Sequence, residues 1–183
     1  MSTHPNTILN KTDFKRTVSR LSLEIVEKNK GAENIALVGI RTRGEYLARR
    51  IAEHINASEK ITIGIGFLDI TFYRDDLQRK LTQPMFKGSE ILFDVTGKNI
   101  ILVDDVLFTG RTIRAALDSL MDMGRPASIQ LAVLIDRGRR ELPIMANFVG
   151  KTVSTGIDQE VQVKMKEIDG EDEVLLISRR KEK

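Results

Sequence analysis

The sequence predicts an α/β fold, a mostly parallel twisted sheet flanked by helices, with a small C-terminal β cap. Three observations predict it. Short, almost wholly apolar runs at Asn34 to Ile40, Ile100 to Val103 and Ser128 to Ile135 match strands buried on both faces. The first two lead through polar turns into helix-period patterns, the alternation that builds strand–helix–strand units. Near the C-terminus the helical pattern stops, and two short runs bracket Asp169-Gly170, a hairpin signal.

Taken in order, Thr12 to Asn29 places Phe14, Val18, Leu21 and Ile25 at three- and four-residue spacing, one face of a helix, with Gly31 as its stop. The other face carries Lys15, Arg16, Ser19, Arg20 and Lys28. On the residues alone it is a solvated basic face. Asn34 to Ile40 follows as a strand, and Arg41-Thr42-Arg43-Gly44 turns it into a helix from about Glu45 to Asn56. His54 falls in that helix as a boundary residue. Ligands of open α/β sheets bind beyond the carboxyl ends of the strands. The turn is therefore either a plain loop or a seat where Arg43 and backbone amides meet an anion. Ile61 to Ile70 alternates Ile61, Ile63, Ile65 and Phe67 and reads as a strand. Thr71 to Gly88 is polar, carries Arg74, Arg79, Lys80 and Lys87, and is too long for a tight turn; it reads as a mobile lid.

Ile100 to Thr112 is the most informative stretch. An apolar strand end, Ile100 to Val103, runs to two adjacent acids, Asp104 and Asp105. Thr109-Gly110-Arg111-Thr112 then opens a helix that reaches about Met123, with Gly124 as its stop. A helix N-terminus offers unpaired N–H groups and partial positive charge, which suit a phosphate. Gly110 permits close approach, the threonine hydroxyls add donors, and the two carboxylates can accept from a sugar's vicinal hydroxyls. The stretch is a cradle for a ribose 5-phosphate, or else a strand–turn–helix with solvated acids. Ser128 to Ile135 is the next strand and runs into a basic loop, Asp136 to Pro143. Phe148 to Lys151 forms a further short strand. Val161 to Glu167 and Glu173 to Ser178 form the hairpin, and Arg179 to Lys183 is a charged tail. One domain spanning 1–183 is expected, with a core over about residues 30–135 and a cap from 136–178 plus part of the N-terminal segment.

Composition narrows the chemistry. The 183 residues carry a formal charge of +3, and 41% are hydrophobic. With no cysteine, disulfides, thiolate metal sites and cysteine catalysis are excluded. Two histidines make no convincing zinc site. The N-terminus lacks a signal-peptide pattern, and no apolar run approaches the ~20 residues of a membrane helix, so a cytoplasmic location without a membrane partner is expected. A net charge this small does not by itself imply nucleic acid.

Ile100 to Thr112 resembles the phosphoribosyl-pyrophosphate (PRPP) signature of type I phosphoribosyltransferases. The resemblance runs from about residue 8 to 178, through Val38 to Gly44, Asp69 to Leu77 and Gly124-Arg125-Pro126. Asp136 to Ile144 is similar to the bifunctional branch of that family, uracil phosphoribosyltransferases that also regulate pyrimidine operons. It implies the type I phosphoribosyltransferase fold, its β cap being the hood. The implied reaction is uracil plus PRPP giving UMP plus diphosphate, with Mg2+ held mainly by PRPP and no ligand assigned to the protein. Asp104, Asp105 and Arg74, with Arg79 beside it, are implied in catalysis. Thr42, Arg43, Asp104, Asp105, Thr109, Gly110, Arg111 and Thr112 are implied in PRPP binding, the turn at Thr42 often carrying a non-proline cis peptide. Arg137 and the backbone at Val161 are implied for uracil.

The second implied activity is UMP-dependent binding of a pyrimidine-operon mRNA hairpin, leading to transcription attenuation. It falls on Arg16, Ser19, Arg20 and Lys28, and on Arg137, Arg139, Arg140 and Lys151. Leu23 and Met145 depart from the histidine and basic residue expected near them, whereas Arg139 keeps its charge. A homodimer or higher homo-oligomer is implied as well. An RNA-binding regulator with vestigial catalysis and a purine phosphoribosyltransferase share parts of the pattern; Asp136 to Ile144 argues against the latter.

Overall fold

The computed structural model describes residues 6–70 and 89–178. The expected lid, with Arg74 and Arg79, and the charged tail lie outside the described residues. In chain order the elements are β1 (Asn6–Leu9), α1 (Lys11–Asn29), β2 (Ile35–Ile40), α2 (Arg43–Glu59), β3 (Gly64–Leu68), β4 (Asn99–Leu107), α3 (Arg111–Met123), β5 (Ser128–Asp136), β6 (Phe148–Thr152), β7 (Gln159–Lys164), α4 (Lys166–Asp169) and β8 (Glu173–Ser178). The apolar runs pair as a parallel sheet of order β3-β2-β4-β5-β6. A separate antiparallel sheet, β1-β8-β7, forms the hood.

Alternate residues of the central strands point to opposite faces, as strand geometry requires. Ile101 and Val103 join a core with Phe14, Leu21 and Ile25 of α1, Leu47 and Ile51 of α2, and Val161, Val163 and Val174 of the hood. Ile100 and Leu102 face the other way, onto Ile113, Ala116 and Leu120 of α3. Both faces are thus covered, which is why the strands read as unbroken apolar runs. The hood is mounted on the α1–α2 side and shares its core.

Four expectations are corrected. First, β4 does not end at Val103. It continues to Leu107, with Asp104 opposite Val133 and Val106 opposite Ile135 on β5, so the two acids are strand residues. Second, the strand expected from Ile61 begins only at Gly64, where pairing with Ala36 begins. Third, the N-terminal segment joins the hood through a strand that the sequence did not reveal, β1, with Asn6 opposite Leu176 and Thr7 opposite Leu175. Fourth, β7 and β8 do pair antiparallel, but not through a tight turn. The β7 strand stops at Lys164, and one helical turn, α4, leads to Gly170 at φ 81°. Side chains favour that turn: Asp169 accepts from the Met165 N–H at 2.8 Å and Asp172 from the Lys166 N–H at 2.9 Å.

The α2 N-terminus is pressed onto β4. A Cβ at Gly44 would stand 2.5 Å from the Val103 carbonyl oxygen and 3.2 Å from the Asp104 Cα. Only a residue without a side chain allows the turn after β2 to sit this close to the acids. Gly44→Ala is expected to cost about 1–3 kcal/mol, the usual range for forcing a methyl group into a packed interior, measured by urea unfolding.

Candidate functional site

At the carboxyl ends of β2, β3 and β4 lies a cleft of about 270 Å3. Arg41, Thr42 and Arg43 line it from one turn, Asp69 and Ile70 from the end of β3, Asp104, Asp105 and Val106 from β4, and Thr112 from α3. Residues far apart in sequence meet here because three parallel strands end on the same edge.

The β2–α2 turn contains a cis peptide between Arg41 and Thr42. Arg41 is held by Glu45 at 3.1 Å and Glu90 at 3.1 Å, and its N–H donates to the Leu68 carbonyl at 2.9 Å. Thr42 is the helix cap and makes no side-chain capping bond. Arg43, the first residue of α2, donates through Nη2 to both carboxylate oxygens of Asp169, at 3.2 and 3.3 Å, while its Nε is buried without a partner.

The acids are enclosed by their own strand. Asp104 is only 7% exposed. Its Oδ1 accepts from the Asp105 N–H at 2.9 Å, and the Asp105 Oδ1 accepts from the Val106 N–H at 2.9 Å. Burial first, and then the neighbouring Asp105 charge, push the Asp104 carboxyl well above the usual carboxylate range. Burial also pushes Asp105 up, by less, because the Val106 N–H and the Arg43 charge favour its ionised form. A partner that donates hydroxyls to this pair relieves that repulsion, which a vicinal diol does.

Of the expected phosphate turn, Thr112 reaches the cleft and the preceding residues face the Asp136–Ile144 loop. Gly110 sits at φ 92°, and a Cβ there would lie 3.3 Å from Ile144 Cδ1. The Thr109 hydroxyl accepts from the Arg111 N–H at 3.3 Å. Its carbonyl accepts from the N–H groups of Glu141 and Leu142 at 2.9 and 3.1 Å, and Arg111 Nε meets the Glu141 carboxylate at 2.6 Å. The loop is thus buttoned onto the turn.

Arg137 is 8% exposed. It donates to the Thr155 hydroxyl at 3.3 Å and the Gln159 carbonyl at 2.8 Å, and its guanidinium lies 4.0 Å from the Phe108 ring centroid. Val161 stands opposite Leu176 with its side chain in the core beneath the hood. Neither is among the residues lining the acid cleft. Sequence reasoning missed Phe108, a half-exposed ring between the acids and the turn; its position inside the motif was the available signal.

The basic residues divide into two groups. Arg140 turns inward, donating to the carbonyls of Ile144, Phe108 and Gly138 at 2.9, 2.9 and 3.1 Å and to the Asp136 carboxylate. With Arg137 it organises the loop from inside. The others belong to α1, to β6 or to the exposed part of the loop. Arg20 bonds Glu24 at 2.6 Å and the Gly150 carbonyl. The Lys28 ammonium stands 5.2 Å from the Phe148 ring centroid, Lys151 donates to the Ile8 carbonyl at 2.9 Å, and Arg139 donates to the Thr155 carbonyl at 2.8 Å. Arg16 is exposed, 3.9 Å from Asp13, and Ser19 contacts His54 at 3.3 Å.

Among the described residues no group of three or more His, Cys, Asp or Glu side chains is arranged to hold a metal ion, and no helix is long and apolar enough to cross a membrane.

Residues 4–168 match the family described as phosphoribosyl transferase domain. The chain is 54% identical over 170 residues to a protein of Pelotomaculum thermopropionicum named Bifunctional protein PyrR, covering 93% of this chain and 94% of that one. It is 50% identical over 175 residues to the protein of the same name from Listeria monocytogenes, covering 94% and 96%. Among solved structures, the hypoxanthine phosphoribosyltransferase of Trypanosoma cruzi matches with a TM-score of 0.72 at 14% identity over 96% of this chain and 97% of that one. A likeness at that identity speaks for the fold alone.

The buried acid pair has a cost that can be measured without any ligand. Asp104 ionises normally in the unfolded chain but only at higher pH in the folded one, so the folded state loses stability as pH rises from about 4 through the raised value. Asp104→Asn keeps the acceptor for the Asp105 N–H and removes the charge. It is expected to raise the thermal midpoint at neutral pH by on the order of 3 °C, with the gain vanishing below about pH 4. Calorimetry across that range checks it.

Proposed function

The chain belongs to the phosphoribosyltransferase domain family and, within it, to the PyrR proteins, and on that premise we propose that it transfers ribose 5-phosphate from PRPP to uracil, giving UMP and diphosphate. The observation that carries this reading is one cleft holding two buried adjacent carboxylates, a basic turn at a helix start and a hydroxyl at the start of a second helix. A ribose fits Asp104 and Asp105 by its 2- and 3-hydroxyls. The 5-phosphate is assigned to Thr109, Gly110, Arg111 and Thr112, where α3 begins. The diphosphate is assigned to Thr42, Arg43 and the first N–H groups of α2. Arg74, outside the described residues, is assigned to the same leaving group.

Leaving-group departure builds positive charge on the ribose and negative charge on the diphosphate. Asp105, the more exposed of the two acids, faces the first, and Arg43 faces the second, so the protein contributes positioned charge rather than covalent chemistry. The donor set also suits Mg2+, an ion that prefers oxygen ligands and keeps phosphate and water partners. Bound with PRPP, and held mainly by PRPP oxygens, it would supply further charge neutralisation, with Asp104 and Asp105 the carboxylates of this cleft that could meet it. The base is assigned to the space by Phe108 and Arg137, where the half-exposed ring offers a flat apolar face.

A second role follows from the outer basic surface. Arg20 and Lys28 of α1 lie against β6, Arg16 is exposed one turn before Arg20, and together with Lys151 of β6 and the exposed Arg139 they offer cations that suit an RNA backbone. Pyrimidine-operon mRNA is the proposed RNA, with UMP as the signal. The Arg137 and Arg140 side chains support that surface from beneath. A homodimer or larger homo-oligomer would bring two such sets together.

A panel of uracil, hypoxanthine, guanine, adenine and orotate with PRPP and Mg2+ is expected to yield nucleotide from uracil alone. The Asp104→Asn, Asp105→Asn double variant should lose on the order of a hundredfold or more in turnover; unchanged activity would remove the pair from the site. For RNA, Arg16→Ala and Lys28→Ala should each lower the salt dependence of hairpin binding by about one charge while leaving PRPP turnover intact.

A further inference from the structure

Asp169 lies in the hood, on the single turn α4, and has no place in the assignments above. Its carboxylate nonetheless reaches the cleft wall. Both of its oxygens accept from Nη2 of Arg43, at 3.2 and 3.3 Å, and one of them also accepts from the Met165 N–H at 2.8 Å. The Met165 N–H first, and then the Arg43 charge and hydrogen bond, hold Asp169 below the usual carboxylate range against the effect of burial, so it stays ionised at neutral pH.

The mounting of α4 is rigid. Arg50 of α2 donates to both oxygens of Glu167 at 2.9 and 2.6 Å and to Asp172 at 2.7 Å. Its guanidinium also lies over Phe14, 5.4 Å from the ring centroid. Two arginines of one helix are therefore gripped by the same short hood segment, and only one of them, Arg43, lines the cleft. A free arginine side chain carries much rotamer entropy that an anion must overcome on binding. Arg43 is already held: Nη2 is occupied by Asp169, Nε is buried, and the residue is one of those lining the cleft.

We infer that Asp169 is a positioning residue for the diphosphate of PRPP, acting through Arg43 by fixing its guanidinium at the cleft wall. The inference rests on the PRPP reading of this cleft and deepens it. It makes the hood more than a cover for the base. Its α4 turn sets the geometry of the leaving-group side, on the far side of the ribose.

The variant that isolates the effect is Asp169→Asn, whose remaining oxygen still accepts from the Met165 N–H while the charge on Arg43 is lost. Steady-state kinetics should show the KM for PRPP raised about three- to tenfold, as for loss of one partly exposed charged contact. The KM for uracil and the thermal midpoint should stay unchanged. In an Arg43→Ala background, Asp169→Asn should add nothing further, because the effect passes through that side chain. Calorimetric titration of the wild-type protein with PRPP and Mg2+ separates the two levels. Absence of binding by wild type would overturn the PRPP reading itself. Binding by wild type with an unaltered or tighter KM in Asp169→Asn would overturn the positioning role, as would a full effect of Asp169→Asn in the absence of Arg43.

Discussion

Two carboxylates on successive residues of a buried strand are the constraint the rest of this structure answers. Carboxylates taken out of water cost several kcal/mol each unless they are paired or neutralised. Asp104 and Asp105 accept backbone N–H bonds from their own strand, and Asp105 also feels the charge of Arg43, yet the Asp104 carboxyl still stands well above its ordinary range. The deficit is tolerated because the surroundings are rigid. β5 pairs along the whole outer length of β4, α2 rests on it through Gly44, and α3 covers its other face. A site that is unfavourable when empty and relieved by hydroxyl donors is well suited to bind a diol tightly at the moment it must stabilise charge.

The hood answers a second need. The parallel sheet supplies the cleft but leaves the start of α2 facing solvent, with cationic side chains that a charged ligand would have to order. Glu167 and Asp169 of α4 and Asp172 just beyond it supply three carboxylates: Glu167 and Asp172 hold Arg50, and Asp169 holds Arg43. Exposed pairs of this kind contribute little singly, but a network anchored on a short capped turn loses less side-chain entropy per bond. The same carboxylates that look like surface charge in the sequence are what join the hood to the turn beside the active cleft.

Legibility from sequence followed the physics of each signal. The parallel core was readable because strands covered on both faces give unbroken apolar runs, and α1 and α3 because their buried residues repeat at helical spacing. The end of β4 was not readable: two acids normally mark a strand's exit, and nothing local reveals that β5 keeps pairing beyond them to Leu107. Strand β1 was missed because Asn6–Leu9 is too short to show alternation and is specified only by its partner β8. The α4 turn hid within a hairpin pattern, since the bonds that favour it come from Asp169 and Asp172 side chains. The acids, the β2–α2 turn and Thr112 were legible as a site because each carries chemistry in its residue type. The position of Phe108 beside Arg137, and the hold of Asp169 on Arg43, needed the three-dimensional contacts.

The basic loop Asp136 to Ile144 shows why counting charge misleads. Its arginines look like one cationic patch, yet Arg140 donates to four backbone carbonyls and a carboxylate and Arg137 stacks on Phe108 beneath the hood, so two of the three point inward. What they secure is the loop that bonds the Thr109 carbonyl and packs Ile144 against Gly110. An arginine suits this task because its planar fork satisfies several carbonyls at once, which a lysine cannot do. The block that most distinguishes this chain in sequence is therefore, in structure, the brace of the turn that opens α3. Its exposed arginine is Arg139, which donates to the Thr155 carbonyl. The loop is therefore coupled to the start of α3: anything that shifts the Thr109–Thr112 turn pulls on Glu141 and Leu142, and through them on the backbone that displays Arg139.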